Sequence, residues 1–97
     1  MGLIQNLAAI AIRNKVVGAL RAECPAELTE ALESLLADKA AVAAIQGLVA
    51  SNLKSPAGIT EPAILGLDVP AASKDLLAAT PALVSYLVRT AVGKLTN

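Results

Sequence analysis

The sequence predicts an all-α fold, a compact bundle of about four to five short helices, and three observations lead to it. Aliphatic residues recur every three or four positions through most of the 97 residues, which is helical spacing. No segment shows the strict alternation typical of a half-buried strand. Prolines fall where helices start or break, and we expect a kink or break near Thr80-Pro81. The length predicts a single helical domain, residues 1–97.

The first helix carries two apolar stripes on different sides. At about 100° per residue, one side of its first half carries an N-terminal stripe of Leu3, Ile4, Leu7 and Ile10. The second half carries its aliphatic residues nearly opposite, at Ile12, Val16, Val17 and Leu20. A kink near Arg13 to Lys15 would explain this change, and so would an N-terminal half that packs on something other than its own domain. A central helix covered on most sides is the third explanation.

Two helices follow in the middle of the chain. Pro25 suits the first position of a helix to about Ala37, because its missing N–H costs nothing there. Asp38 can cap the next helix, from about Lys39 to Leu53. The large apolar residues of this helix share one face, which we expect to be buried: Val42, Ile45, Leu48, Val49 and Leu53.

The opposite face of the Lys39–Leu53 helix is formed by small residues. The Lys39–Leu53 helix is the third predicted helix, α3, and we call its set of small residues the α3 ridge: Ala40, Ala43, Ala44, Gly47 and Ser51. Small residues four apart let two helix backbones approach closely, and close packing would explain a mid-helix glycine that costs about 1 kcal/mol relative to alanine. Two interpretations stay open: a helix sandwiched inside its own domain, or a contact surface for another subunit.

The remaining elements alternate turns and helices. The residues Ser55-Pro56-Ala57-Gly58 predict a turn. Thr60 can cap a short helix that carries Ile64, Leu65 and Leu67 into the core. A further helix, from about Pro70 or Ser73, ends at Ala79. The last helix, from Pro81 to about Leu95, has an apolar face of Leu83, Val84, Leu87, Val88, Ala91, Val92 and Leu95.

Composition argues against catalysis. Histidine is absent and Cys24 is the only cysteine, so neither an internal disulfide nor a multi-cysteine metal site can form. Cys24 also lacks the usual base that activates a thiol, and we interpret it as a small buried or helix-end residue. The acidic residues Glu27, Glu30 and Glu33 share the polar side of one helix and fit a solvated surface. We expect no enzymatic activity, no cofactor and no metal.

The sequence argues against a nucleic-acid partner and against a transmembrane helix, while contact with a membrane surface stays possible. Tyr86 is the only aromatic residue, and eight basic and eight acidic residues give zero net charge, so we expect no nucleic-acid partner. The longest charge-free stretches, residues 40–53 and 76–88, are shorter than the roughly 20 residues of a transmembrane helix. No signal peptide is expected, because no basic stretch precedes the first apolar one. The location stays unknown, with a reducing compartment or a virus particle favoured.

The apolar excess favours a protein partner. Hydrophobic residues make up 56% of the chain and charged residues 16%, against about 45–50% and 25% in ordinary soluble domains. Our first hypothesis is a non-enzymatic subunit of a homo-oligomer or larger assembly, for example a minor virion component, which uses the N-terminal stripe and the α3 ridge. The alternatives are a membrane-surface or membrane-perturbing protein with amphipathic helices, and a small carrier of an apolar ligand.

Overall fold

The all-α prediction is confirmed in a computed structural model that describes residues 13–96. No strand occurs within this range. Helix α1 covers residues 13–22 of the described chain. Five further α-helices follow, with 3-10 turns at Ala26–Leu28 and Pro56–Gly58: α2 Thr29–Leu36, α3 Lys39–Ser51, α4 Glu61–Leu65, α5 Ala71–Ala79 and α6 Pro81–Thr90. A single π-helical segment, Ala91–Leu95, continues α6.

Two helix starts lie where the sequence predicts them, because a side chain satisfies the free backbone N–H groups. Asp38 accepts hydrogen bonds from the N–H groups of Ala40 and Ala41 at 3.0 and 3.4 Å. The Thr60 hydroxyl oxygen accepts one from Ala63 at 3.2 Å. Asp38 and Thr60 thus bind free N–H groups in the first turn of their helices, as N-cap residues do. The predicted caps of α3 and α4 are therefore confirmed.

The predicted Pro25–Ala37 helix begins with a 3-10 turn and only then becomes α-helical. The carbonyl of Pro25 accepts from Leu28 N–H at 2.9 Å, a bond three residues along the chain. This tighter turn ends at Leu28, and α2 starts at Thr29. The buried side of α2 is formed by Leu32 and Leu35, as the apolar stripe predicts.

The predicted end of α3 at Leu53 is wrong, and Asn52 gives the physical reason. Its N–H donates to the carbonyl of Val49 at 3.1 Å, and its side-chain amide donates to the carbonyl of Leu48 at 2.8 Å. These bonds close the last turn and end the helix at Ser51. Leu53 therefore leaves the buried face and is 53% exposed.

The predicted break at Thr80-Pro81 is confirmed. Helix α5 and the segment Pro81–Leu95 are bent by 96° at this point. Thr80 has φ −127° and ψ 73°, outside the helical region, which a residue before proline avoids. Pro81 then starts α6, where its missing N–H is tolerated. The turn lets α6 cross back over the other helices.

The core is one contiguous aliphatic cluster to which every described α-helix contributes. Val16 and Leu20 bring α1 into it, as their spacing predicts. Tyr86 is its only aromatic member, and its hydroxyl donates to the carbonyl of Leu20 at 2.6 Å. The Cα radius of gyration of 12.8 Å is close to the about 13 Å of a compact 100-residue chain, which agrees with the predicted compact bundle.

Two predicted core residues lie at the surface instead. Leu65 is 43% exposed and Val92 is 36% exposed. Helix α4 is only five residues long and buries Ile64, so its neighbour Leu65, about 100° further round the helix, points elsewhere. Leu67 is partly buried against the core, as expected.

Candidate functional site

The α3 ridge lies on the outside of the molecule. Asp38 sets the start of α3, and Ala41, Val42, Ile45 and Val49 form its buried side. The ridge occupies the other side: four of its residues are exposed and one is half-buried, namely Ala40, Ala43, Gly47 and Ser51, with Ala44 half-buried. The structure thus brings the five α3 residues singled out in the sequence onto one accessible helix face.

Gly47 has no close neighbour in the part of the chain that the structure describes. A Cβ atom added there would meet no heavy atom within 4 Å beyond its own helix. The sandwiched interpretation of α3 would require a backbone or side chain above this glycine. Within residues 13–96 nothing takes that place, and the ridge faces outward.

A second surface adjoins the ridge at the C-terminal end of α3. We call it the Leu53 groove: a concavity of about 190 Å³ lined by Lys15, Val16, Val49, Ala50, Leu53 and Leu95. It brings together the described start of α1, the end of α3 and the π-helical segment. The groove was not predicted, because it depends on Leu53 leaving α3. Asn52 was the available signal, since asparagine is a known residue of helix C-termini.

The N-terminal stripe lies outside the described residues. Its members are Leu3, Ile4, Leu7 and Ile10, whereas the structure describes the chain from Arg13. The second half of the same helix is described, with Val16 and Leu20 buried and Val17 half-buried. The core-facing side of α1 is therefore established, and the exposed Asn14, Lys15, Gly18 and Arg21 lie away from it, as predicted.

Asp38, between α2 and α3, caps α3 and also links this junction to α5. Its second carboxylate oxygen accepts a 2.6 Å hydrogen bond from the Ser73 hydroxyl on α5. This bond, together with those from the backbone of Ala41 and Ala40, lowers the pKa of Asp38, while desolvation opposes the shift. Because both carboxylate oxygens accept hydrogen bonds from within the fold, Asp38 serves a structural purpose.

Four of the charged residues form two ion pairs at the surface. Arg21 on α1 donates two hydrogen bonds to Glu33 on α2, at 2.8 and 2.7 Å, and this hydrogen bonding lowers the pKa of Glu33. Lys94 pairs with Glu23 at 2.6 Å. Both pairs are well exposed, and such pairs add little stability. The first pair joins α1 to α2, and the second joins the π-helical segment to the residue that follows α1.

The described residues do not gather metal-ligating or nucleophilic side chains into one cluster. In residues 13–96, no group of three or more His, Cys, Asp or Glu side chains is placed to hold a metal ion. Cys24 is half-buried, and its thiol donates weakly to the carbonyl of Pro25 at 3.4 Å. The Leu53 groove is smaller than the about 300–1,000 Å³ of a small-molecule site.

One further finding concerns membranes. Among the described helices, none is by itself long and apolar enough to cross a bilayer, although two bent pairs reach that length and composition together: Ala26–Leu36 with Lys39–Ser51, and Ala71–Ala79 with Pro81–Leu95.

The two adjoining surfaces, the α3 ridge and the Leu53 groove, are the site that this geometry singles out. Both are poor in charge, and both include residues of α3, whose opposite side is buried in the core. Comparison of the chain with protein-family models, with curated proteins and with solved structures gave no match.

Proposed function

We propose that this protein is a non-enzymatic helical subunit that associates with copies of itself, within a homo-oligomer or a larger assembly. The observation that carries this proposal is the outward-facing α3 ridge, with no described atom above Gly47. A minor virion component is one assembly that such a subunit fits. The N-terminal stripe is the second surface assigned to this role.

The ridge suits a close helix–helix contact. Its alanine, glycine and serine side chains lose little conformational entropy when buried, and they let two backbones approach closely. No charged side chain belongs to the ridge, so its burial leaves no unpaired charge. Depletion of charge is also typical of the buried centre of protein interfaces.

Self-association is tested by measuring molar mass with light scattering at micromolar concentrations. The wild-type protein is expected to be larger than a monomer. Gly47→Glu places a long charged side chain at the centre of the ridge and is expected to shift the protein towards the monomer. A wild-type protein that stays monomeric over this range would contradict the proposal.

Gly18→Glu is the matched control. Gly18 is also an exposed glycine within a helix, with no heavy atom within 4 Å of an added Cβ. The same change there costs similar helix propensity, but it lies on α1 outside the ridge. It should leave the molar mass unchanged, and an equal effect of both variants would count against the ridge as the contact surface.

A further inference from the structure

The Leu53 groove has the character of a binding site for aliphatic side chains. Val16, Val49 and Leu95 form its buried floor, and Leu53 stands 53% exposed at its edge. Lys15 is the only charged residue that lines it. The groove has a volume of about 190 Å³.

The groove lies where the N-terminal segment joins the described chain. Lys15 and Val16 belong to the first described turn of α1, and they meet the last turn of α3 across the groove. Twelve residues precede Arg13, enough for about 18 Å of helix. Residues 3–12 contain no charged side chain, so burying them in an apolar groove leaves no charge without a partner.

The N-terminal stripe cannot share the core-facing side of α1 if the helix continues straight. Val16 and Leu20 define that side, since both are buried. At about 100° per residue, the centre of the stripe lies roughly 145° away from the centre of the second apolar set. A continuing helix would therefore direct the stripe away from its own core.

Folding back onto the groove of the same chain would require a reversal immediately before α1. No glycine or proline occurs between Leu3 and Val17, and these are the residues that usually mark a turn. Two antiparallel helices also need a connecting loop of about two to five residues, and only Ala11 and Ile12 separate the stripe from the helical Arg13, the minimum for such a loop. These constraints favour a groove supplied by another molecule.

We propose that the Leu53 groove binds the N-terminal stripe of a second copy of the chain. This inference rests on the proposed self-association and names its partner surfaces. In a pair related by a twofold axis, each copy places its stripe in the groove of the other, so the exchange is reciprocal. Ala50 lines the groove one turn beyond Gly47, which makes this contact continuous with the α3 ridge.

Disulfide trapping between separately labelled chains tests the exchange. In a Cys24→Ser background, one chain carries Leu7→Cys and a second chain, distinguishable by mass, carries Leu53→Cys. After mixing and mild oxidation, mass spectrometry is expected to show a disulfide between the two chains. Leu65→Cys is the matched control, because Leu65 is similarly exposed but lies on α4, and it should form far less of the mixed disulfide with Leu7→Cys.

The outcomes separate the exchange from the proposed function. A disulfide that forms only inside a chain carrying both Leu7→Cys and Leu53→Cys overturns the exchange, because the stripe then folds onto its own groove. Equal trapping at Leu53 and Leu65, or none at Leu53, also overturns it. If the wild-type protein still self-associates in those cases, the proposed function stands without this contact. A monomeric wild type overturns both.

A second variant needs no engineered cysteine. Leu53→Glu in the wild-type background is expected to weaken self-association by about tenfold or more, the loss expected when one leucine can no longer be buried. Leu65→Glu should leave association unchanged. Because Leu53 is already exposed within the single chain, its replacement should preserve the helical circular dichroism spectrum. Unchanged association of Leu53→Glu would overturn the exchange.

Discussion

Tyr86 shows how one side chain links distant elements of this fold. It lies in the middle of α6, and its hydroxyl donates to the carbonyl of Leu20, 66 residues earlier in the chain. The last four carbonyls of a helix lack partners within it, and Leu20 lies in the last turn of α1. Tyr86 therefore satisfies a free carbonyl of α1 while its ring fills the core.

Replacing Tyr86 by phenylalanine should destabilise the protein by about 1–3 kcal/mol, because the buried carbonyl of Leu20 loses its donor. Denaturant unfolding followed by far-ultraviolet circular dichroism measures this loss as a lower midpoint at unchanged slope.

Thr96→Val is the control for Tyr86→Phe. The Thr96 hydroxyl donates to the carbonyl of Val92 at 2.9 Å in an exposed position, where water can replace it, so this variant should unfold near the wild-type midpoint. A Tyr86→Phe variant as stable as the wild type would show that the hydrogen bond to Leu20 is dispensable.

At the scale of elements, the starts of α3 and α4 and the end of α5 at Ala79 lie where the sequence predicts them, whereas the end of α3 does not. The α3 and α4 starts depend on local bonds from Asp38 and Thr60, so the sequence neighbourhood suffices. The end of α3 depends on which of several residues near Asn52 closes the last turn. The same few residues decide whether Leu53 is buried or exposed, so the groove could not be predicted.

Gly47 and Gly18 allow one element-scale prediction. Alanine at either position should stabilise the monomer by up to about 1 kcal/mol, because alanine is the better helix former and an added Cβ meets no heavy atom within 4 Å. Denaturant unfolding at a concentration where the protein is monomeric measures this gain.

The effect on association should differ between these two glycines. Gly47→Ala adds a methyl group to the proposed close contact and should weaken association, whereas Gly18→Ala should not change it. Equal association of both variants would indicate that no backbone approaches Gly47 closely.

At the scale of the whole molecule, the buried residues form one cluster that spans α1 to the π-helical segment. Within residues 13–96 no helix has a separate core of its own, so we expect this part of the chain to unfold as one unit. Tyr86 is the only aromatic residue of the chain and lies inside the cluster. Its fluorescence therefore reports tertiary packing, while circular dichroism reports the helices.

Thermal unfolding followed by both signals should give one coincident transition, as expected of a two-state domain. Leu83→Ala, at a fully buried position on α6, should reduce the free energy of unfolding by about 2–5 kcal/mol. The midpoint temperatures of both signals should fall together. Leu65→Ala is the control at an exposed site and should change little. Two separate transitions would contradict the single domain.

Helical spacing, caps and prolines were sufficient to predict the fold class and the break at Thr80-Pro81, because these depend on neighbours within one or two turns. The small residues of the ridge could likewise be identified by position alone. Only the structure shows that no described residue covers Gly47. It also shows that α3 ends before Leu53 and that Val16, Val49 and Leu95 lie around one groove. The end of α3 depends on the local bonds of Asn52, but the groove and the open side of Gly47 depend on how elements far apart in the chain pack. Helical periodicity carries no information about such packing.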